Sequence, residues 1–97
     1  YMGKADGINI KLMKCGGIRE ALRMIHTARA CNLKVMLGCM IESSVGISAA
    51  VQIAPLVDYV DLDGNLLISN DPYSGPELKS GKWIFNDMPG LGIKKVQ

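Results

Sequence analysis

The first two thirds of the chain show two kinds of hydrophobic pattern in turn. Residues 8–12 alternate apolar and polar positions, with Ile8, Ile10 and Leu12 on one side, which predicts a short β-strand. Residues 18–28 carry apolar side chains at helical spacing, with a polar opposite side, which predicts an amphipathic helix. The glycine pair at 16–17 separates the two elements.

The same pair of patterns then repeats. Residues 35–37 predict a second strand, Ser43 or Ser44 is suited to begin a second helix as its N-cap, and Pro55 is expected to close that helix. Residues 57–62 predict a third strand. The order is therefore strand–helix–strand–helix–strand, and its short connections require right-handed parallel crossovers.

The pattern changes after Gly64. Turn signals follow at residues 70–72 and 74–76. Residues 77–85 alternate around Ser80-Gly81, which predicts an antiparallel hairpin, and residues 89–92 are expected to end the chain in a loop. The pattern therefore divides the chain into residues 1–64, with the three predicted strands and their helices, and residues 65–97, a short β-rich tail.

Composition narrows the class. The 97 residues are 48% hydrophobic and 21% charged with a net charge of +2, which excludes a disordered chain and a strongly basic nucleic-acid binder. Three parallel strands with two helices leave open edges and an uncovered face, whereas parallel sheets are normally covered on both faces. An eight-unit barrel needs about 250 residues. The chain, which begins at Tyr1, is therefore expected to be a piece of a larger α/β protein.

The cysteines and the longest apolar stretch suggest a location. Cys15, Cys31 and Cys39 have neither the spacing of a disulfide framework nor that of a zinc site, so free and mostly buried thiols in a reducing compartment are expected. The uncharged stretch 43–57 is shorter than the roughly 20 residues of a membrane span, and no signal peptide is visible. The expectation is a cytoplasmic protein with no membrane or nucleic-acid partner.

Parallel α/β folds place their functional sites at the carboxyl ends of the strands. Lys11 follows the first strand and points away from Ile8 and Ile10, so it faces a barrel interior if those two face the helices. A lysine placed there is costly unless it has a chemical role or a partner. A catalytic amine and a structural ion pair both remain open for Lys11.

Two further polar segments follow the next strands. Asp61 and Asp63 emerge on one face, about 6–7 Å apart along the backbone, and need a cation such as a metal, a lysine or a substrate ammonium group, unless they are solvated loop acids. Glu42 precedes a helix, where a carboxylate interacts well with the helix dipole. The glycines at 16–17 could also expose N–H groups to a phosphate.

Taken together, these segments resemble a known family. NIKLMKCGGI at residues 9–18, GCMIESS at 38–44, DLDG at 61–64 and PGLGI at 89–93 resemble the last three barrel strands and carboxyl end of the enolase superfamily. The resemblance is closest to the dipeptide epimerase branch of its muconate-lactonizing subgroup, and it covers nearly the whole chain. It implies an α/β fold that is the C-terminal part of a (β/α)8-type barrel. Residues 1–64 would be the last three strands of the barrel domain with their helices, and residues 65–97 a tail or hairpin that packs back toward a capping domain.

The resemblance also implies roles. Lys11 corresponds to the catalytic lysine at the end of the sixth strand, and Asp61 and Asp63 to the pair that holds the α-ammonium group of a dipeptide. The seventh-strand residues that line the substrate pocket correspond to Cys39, Met40 and Glu42.

The family racemises an α-carbon next to a carboxylate through an enediolate, using two lysines and Mg²⁺. The second lysine and the metal ligands belong to earlier strands. This chain is therefore expected to hold no metal ligands and to be inactive alone, and the full-length parent to be an isomerase and a possible homo-oligomer.

Several alternatives stay open. The parent could be another enzyme of the subgroup, such as an o-succinylbenzoate synthase, an N-acylamino acid racemase or a muconate cycloisomerase. The pair Asp61 and Asp63 argues against these because their substrates lack a matching ammonium group. From other classes, the chain could be a non-catalytic half-barrel, or a phosphate-binding module that uses the glycines at 16–17.

Overall fold

A parallel sheet forms the centre of the molecule. The computed structural model describes residues 3–96. Its three-stranded sheet has the order β1 (Gly7–Ile10), β2 (Lys34–Leu37) and β3 (Tyr59–Val60). Both pairs are parallel, with Ile10 opposite Leu37 and Leu37 opposite Val60. The predicted strand–helix–strand–helix–strand order is confirmed.

In the described part of the chain, three helices connect these strands: α1 (Leu12–Cys15), α2 (Ile18–Ala30) and α3 (Ser44–Val51). The predicted amphipathic helix is confirmed as α2. The prediction that Leu12 continues the first strand is wrong, because the chain leaves the sheet after Ile10. The N–H groups of Lys14 and Cys15 donate to the carbonyl of Lys11, 2.9 and 3.0 Å away, and begin the short helix α1.

Helix α3, the second of the two helices that the sequence predicts, ends before Pro55. The N–H groups of Gln52 and Ile53 bond to carbonyls three residues back, at 3.3 and 3.1 Å, so the helix tightens beyond Val51. Pro55 lies in the following 3-10 turn, Ala54–Leu56, and does not close α3. A second 3-10 turn covers Gly64–Leu67.

The third strand is shorter than residues 57–62, although its hydrogen-bond ladder extends beyond β3 on both sides. The N–H of Asp58 donates to the carbonyl of Val35 at 2.8 Å, and the N–H of Asp61 donates to that of Leu37 at 2.9 Å. The residues flanking β3 therefore remain attached to β2, including the first acid of the predicted pair.

Residues 65–96 of the tail contain two antiparallel strand pairs. β4 (Tyr73–Ser74) pairs with β7 (Lys94–Lys95), and β5 (Glu77–Lys79) pairs with β6 (Lys82–Ile84). The predicted hairpin is confirmed as β5–β6. Its two turn residues, Ser80 and Gly81, have φ values of 51° and 78°, as a type I′ turn requires. The prediction that the chain ends in a loop is wrong, because β7 follows residues 89–92 and extends the pairing.

The core lies between the helices and one face of the sheet. Among the described residues, six of its hydrophobic side chains are at most 1% exposed: Ile10, Ala21, Val35, Leu37, Ile47 and Val51. The opposite face, here called the open face, carries the register partners Asn9, Met36 and Tyr59, and Tyr59 is 60% exposed. An exposed aromatic side chain on a parallel sheet is typical of a layer that further chain covers.

The cysteines are less deeply placed than expected. Cys15, Cys31 and Cys39 are free, as predicted, but all three are half-buried and none is fully enclosed. The apolar stretch at 43–57 is divided between α3 and a 3-10 turn. Within residues 3–96, no helix combines the length and the apolar character that crossing a bilayer requires.

Asp58 joins three parts of the fold. Its Oδ2 accepts the N–H of Val35 at 2.8 Å and the Nη1 of Arg29 at 2.6 Å, and the same arginine donates to the carbonyl of Leu56 at 3.1 Å. The Val35 N–H, followed by the Arg29 guanidinium, lowers the pKa of the Asp58 carboxyl below its usual value. The end of α2, the start of β2 and the entry to β3 are thereby held together.

This arrangement predicts a loss of stability in acid. Because the folded pKa of Asp58 lies below the usual value of about 3.9, its stabilisation is complete above that pH and is lost as the pH falls through the folded pKa. In urea unfolding at several pH values, Asp58→Asn should weaken the pH dependence of the unfolding free energy below about pH 4. Glu20→Gln, which breaks the exposed ion pair with Arg23, is the control and should leave that dependence nearly unchanged. Equal slopes in wild type and Asp58→Asn would contradict this interpretation.

Candidate active site

The carboxyl ends of the three parallel strands lie side by side. Lys11 directly follows β1, and Asp61 directly follows β3. The N–H of Gly38 donates to the carbonyl of Ile10 at 2.8 Å, so the segment after β2 stays between them. Neighbouring strands lie about 4.8 Å apart, which puts the backbones of Lys11 and Asp61 about 10 Å from each other.

The alternation of side chains places Lys11 and the two acids on the open face. Lys11 has an extended backbone, with φ −130° and ψ 122°, and follows the buried Ile10. Leu62 is only 3% exposed, whereas its neighbours Asp61 and Asp63 are both exposed. Successive residues of an extended chain point to opposite faces, so the backbone directs the three charged side chains away from the side on which Ile10 and Leu62 are buried.

Within this chain, the amine and the acid pair border different clefts. Lys11 lines an open cleft of about 430 Å³ at the β1 edge, together with Asn9, Lys14, Cys15, Glu20 and Met24. Asp61 and Asp63 line a cleft of about 240 Å³ beside β3. The structure thus brings the strand ends together but does not join their side chains in one cavity of residues 3–96.

Cys39 contacts the acid pair. Its Sγ donates to Oδ1 of Asp63 over 3.8 Å. Burial raises the pKa of the Cys39 thiol, and the carboxylates of Asp63 and Glu42 act in the same direction, against backbone hydrogen bonds that lower it. A thiol of raised pKa stays protonated at neutral pH, so Cys39 is a hydrogen-bond donor to Asp63 and is poorly suited to act as a nucleophile.

The loops after β2 and β3 are packed at backbone level. A side chain at Gly64 would collide with the carbonyl of Met40, and it would lie 3.0 Å from the Glu42 nitrogen and 3.3 Å from the Cys39 Sγ. Only glycine allows this approach, which is why the motif of alternating acids is followed directly by a glycine. The spacing between Cys39 and Asp63 depends on this contact.

Glu42 and Met40 lie differently from the acid pair. Glu42 is 9% exposed, its Oε2 accepts the N–H of Met40 at 3.0 Å, and its other oxygen lies against Gly46 in the first turn of α3. This carboxylate therefore stabilises its own loop and the start of a helix. In the described part of the chain, the lining of the Asp61–Asp63 cleft includes neither Glu42 nor the 41% exposed Met40.

Asp71 is a structural residue that the sequence did not reveal. Its Oδ2 accepts the N–H of Ser44 at 2.9 Å and the Ser44 hydroxyl at 2.5 Å, and its Oδ1 accepts the N–H of Tyr73 at 3.1 Å. Burial opposes ionisation, but these three hydrogen bonds outweigh it, so the pKa of Asp71 is lowered. The residues at 70–72 indicated only a turn, because a cap supplied from 27 residues away has no local signal.

Asn65 links this cap to the acid pair. Its Nδ2 donates to the Ser44 hydroxyl at 3.4 Å, and its buried Oδ1 has no hydrogen-bond partner within residues 3–96. Asn65 belongs to the 3-10 turn that begins immediately after Asp63. The Asp71–Ser44–Asn65 network therefore connects the acid-bearing loop to the start of α3.

Loss of the Asp71 carboxylate should destabilise the fold. Asp71→Ala leaves the buried N–H and hydroxyl of Ser44 without their acceptor, at a cost of about 1–3 kcal/mol in the unfolding free energy. Urea unfolding with a constant m-value measures the change. Asp87→Ala removes the same charge from an exposed position and should change stability by less than about 0.5 kcal/mol. Equal effects of the two substitutions would show that the network contributes nothing.

The side chains of this segment do not form a metal site. Within residues 3–96, no three histidine, cysteine, aspartate or glutamate side chains are grouped so that they could hold a metal ion. Asp61 and Asp63 form an anionic patch, in which Asp63 accepts a hydrogen bond from Cys39.

Comparison with known proteins places the chain in a family. Residues 1–95 match the family described as Enolase C-terminal domain-like, and the chain belongs to that family. The expected fold, the C-terminal part of an enolase-type α/β barrel, is confirmed. The expected relationship to dipeptide epimerases is confirmed by the proteins to which the chain is similar.

Two epimerases illustrate this similarity. The chain is 56% identical over 94 residues to an L-Ala-D/L-Glu epimerase of Bacteroides thetaiotaomicron, covering 97% of this chain and 24% of the relative. It superimposes on the dipeptide epimerase of Methylococcus capsulatus, solved with a Mg ion, with a TM-score of 0.85 and 39% identity over 91% of this chain and 27% of that one.

The chain also superimposes on an N-succinyl Arg/Lys racemase of Bacillus cereus, with a TM-score of 0.84 and 38% identity over 94% of this chain and 25% of that one. The chain thus spans about a quarter of the length of these proteins.

Proposed function

We propose that this chain is the carboxyl-terminal part of a Mg²⁺-dependent dipeptide epimerase, an isomerase that inverts an α-carbon next to a carboxylate. The observation that carries the proposal is the exposed pair Asp61 and Asp63 at the end of β3, on the same face as Lys11. Family membership and similarity to two epimerases support it.

The acid pair is the feature that fits a dipeptide. Two like charges on adjacent same-face positions repel each other unless a cation lies between them. A dipeptide supplies an ammonium group at its amino end, and two carboxylates provide charge-assisted hydrogen bonds for it. The Cys39 thiol, which donates to Asp63 over 3.8 Å, leaves further acceptor positions of that carboxylate for the substrate. Asp61 and Asp63 are therefore proposed as the substrate-binding residues.

Lys11 is proposed as an acid/base residue. Removing a proton from a carbon next to a carboxylate needs a base in line with the C–H bond and stabilisation of the developing negative charge. Lys11 accepts or returns the proton on one side of the α-carbon, and a second amine of the full-length protein serves the other side. Inversion results because the proton leaves from one side and returns from the other.

Mg²⁺ is proposed as the cofactor of the full-length protein, where it would stabilise the negative charge of the substrate carboxylate. Similarity to an epimerase solved with a Mg ion supports this assignment. The residues described here do not form the metal site, so its ligands are assigned to the remaining part of the protein. This chain alone is expected to be inactive.

The remaining roles are less direct. Cys39 is proposed to line the substrate site through its contact with Asp63. Glu42 and Met40 are proposed to shape the same loop, Glu42 through its bond to the Met40 N–H and its position against α3. The tail from residue 65 onward is proposed to pack toward a capping domain of the full-length protein. An oligomeric assembly stays a prediction.

The location of the protein is proposed as the cytoplasm. The three cysteines lie among the described residues and are free, and each is half-buried. Thiols of this kind persist in reducing compartments.

A racemase acting on N-acylated amino acids is the second candidate. Similarity to an N-succinyl Arg/Lys racemase supports it, with a TM-score of 0.84 against 0.85 for the Methylococcus capsulatus dipeptide epimerase. The 56% sequence identity to an L-Ala-D/L-Glu epimerase favours the first candidate. The two functions differ in one chemical feature, because N-acylation removes the ammonium group that Asp61 and Asp63 are suited to bind.

Hydrogen exchange at the α-carbon tests the proposal. The full-length protein with Mg²⁺ is incubated in D₂O with a library of Ala-X dipeptides and, separately, with N-succinyl amino acids, and deuterium incorporation is followed by NMR. The proposal expects exchange with dipeptides and little with N-succinyl substrates. Exchange with the succinylated compounds alone favours the second candidate, and exchange with neither class contradicts both.

A further inference from the structure

The hairpin β5–β6 of the tail borders the acid pair. The cleft of about 240 Å³ beside β3 is lined on one side by Val60, Asp61, Leu62 and Asp63, and on the other by Leu78, Gly81 and Trp83. The hairpin residues come from about 20 positions further along the chain, as the numbering shows. The tail is therefore part of the wall around the acid pair.

The position of this wall is fixed by local geometry. Leu78 and Trp83 are direct cross-strand partners, so their side chains lie on the same face of the hairpin. Ser80 and Gly81 form the two-residue turn between β5 and β6, and their left-handed φ values hold the two strands in one register. Trp83 is half-buried and packs against the hydrophobic core.

The cleft is chemically two-sided. One side carries two carboxylates, and the other carries an indole ring and a leucine side chain that is 43% exposed. A ligand that complements both sides has a cationic group and, next to it, an apolar group. An ammonium-bearing α-carbon with an apolar side chain, as at the amino end of a peptide, has this arrangement.

We propose that Leu78 and Trp83 determine which side chain is accepted at the N-terminal residue of the dipeptide, an inference that rests on the proposed function. The ammonium group and the side chain of the N-terminal residue are attached to the same α-carbon. When Asp61 and Asp63 hold the ammonium group, that side chain therefore faces the opposite wall of the cleft. The distance from the acids to that wall then limits the size of the side chain, and its apolar surface disfavours a charged one.

The expected discrimination follows from ordinary packing energetics. One added or missing methylene group in an apolar pocket changes kcat/KM by about 10- to 200-fold. Replacing Leu78 or Trp83 with alanine should therefore change the ratio of kcat/KM between substrates with different N-terminal side chains by at least about tenfold. The preference for the second residue should not change, because that residue does not carry the ammonium group.

Two series of dipeptides test this in the full-length protein with Mg²⁺. In the first series the N-terminal residue varies among Ala, Leu and Phe before a constant Glu, and in the second Ala is constant and the following residue varies. The variants are Trp83→Ala and Leu78→Ala, and kcat/KM is measured from deuterium incorporation. Ile84→Ala is the matched control, because Ile84 is a 48% exposed residue next to Trp83 on the other face of the same strand.

The proposal predicts that Trp83→Ala and Leu78→Ala raise the Phe-to-Ala ratio of kcat/KM in the first series about tenfold or more and leave the second series unchanged. Ile84→Ala should match the wild type in both. If Trp83→Ala does not fold, because it removes a core contact, Leu78→Ala alone decides.

Wild-type exchange with an unchanged ratio in the folded wall variants overturns this inference and leaves the proposed function standing. A change of equal size in the second series also overturns it. Absence of exchange with every dipeptide in the wild type overturns the proposed function together with the inference.

Discussion

Lys11→Gln in the full-length protein is expected to lower epimerisation of dipeptides by about a hundred- to ten-thousandfold, which is the contribution of a positioned acid/base group. The glutamine has a similar length but cannot accept a proton. Because the proposed mechanism uses one amine on each side of the α-carbon, exchange in D₂O should persist for only one of the two diastereomers, the one whose hydrogen faces the other amine.

A nearby lysine provides the control for this prediction. Lys14 lies in α1, is exposed and borders the same cleft as Lys11, so Lys14→Gln removes an equal charge from the same neighbourhood. It should retain activity close to wild type. Epimerisation at the wild-type rate in Lys11→Gln, or an equal loss in Lys14→Gln, would contradict the assignment of Lys11. Chiral separation of the products, run beside the exchange measurement, distinguishes these results.

The second large effect is expected at the acid pair. Asp63→Asn removes one of the two charges proposed to hold the substrate ammonium group and leaves the other partner incompletely paired. Removing one partner of a charged contact that bound substrate would bury costs about 2–5 kcal/mol, or about 30- to 4000-fold in kcat/KM. The loss should appear mainly in KM, because the ammonium group lies away from the reacting carbon–hydrogen bond.

The chemistry of the substrate separates binding from general damage in this experiment. Capping the dipeptide with an N-acetyl group removes the ammonium charge, so wild type and Asp63→Asn should differ little on that substrate. Asp87→Asn, at an exposed position in the tail, controls for the change in net charge. A loss of the same size on free and acetylated dipeptides would show that Asp63 supports the fold and does not recognise the ammonium group.

Patterns within about ten residues predicted most of the fold. The amphipathic helix α2 and the hairpin β5–β6 each follow from a hydrophobic period combined with turn residues of defined conformation. Hydrophobic alternation predicts the wrong element at Leu12, whose apolar side chain continues the alternation of β1 although its backbone is helical. Alternation records which side faces the core, and a residue in the first turn of a helix can satisfy it equally well.

Interactions between distant positions were not predictable in the same way. Asp71 caps α3 from 27 residues away, and Asp58 bonds to Val35 and Arg29 across 23 and 29 residues. Strand β7 has two residues, too few for a period to show. These contacts depend on where the elements pack, which no short window of sequence contains.

The candidate site likewise contains residues that the local sequence predicts and residues that only tertiary packing places there. Lys11, Asp61 and Asp63 were predicted as site residues because they follow the first and third strands, and the parallel sheet brings those strand ends to one edge. The placement of Leu78 and Trp83 beside the acids has no counterpart in the local sequence, since the tail reaches them only through tertiary packing. The separate clefts of Lys11 and of the acid pair likewise became visible only in three dimensions.

A crystal structure of the full-length protein with Mg²⁺ and a bound dipeptide would show whether Lys11 and the acid pair contact the substrate. We expect the substrate ammonium group about 3 Å from carboxylate oxygens of Asp61 and Asp63, and the Nζ of Lys11 about 3–3.5 Å from the α-carbon that is inverted. A dipeptide bound elsewhere, or a Lys11 side chain that remains in the cleft beside Glu20 and Met24, would contradict this expectation.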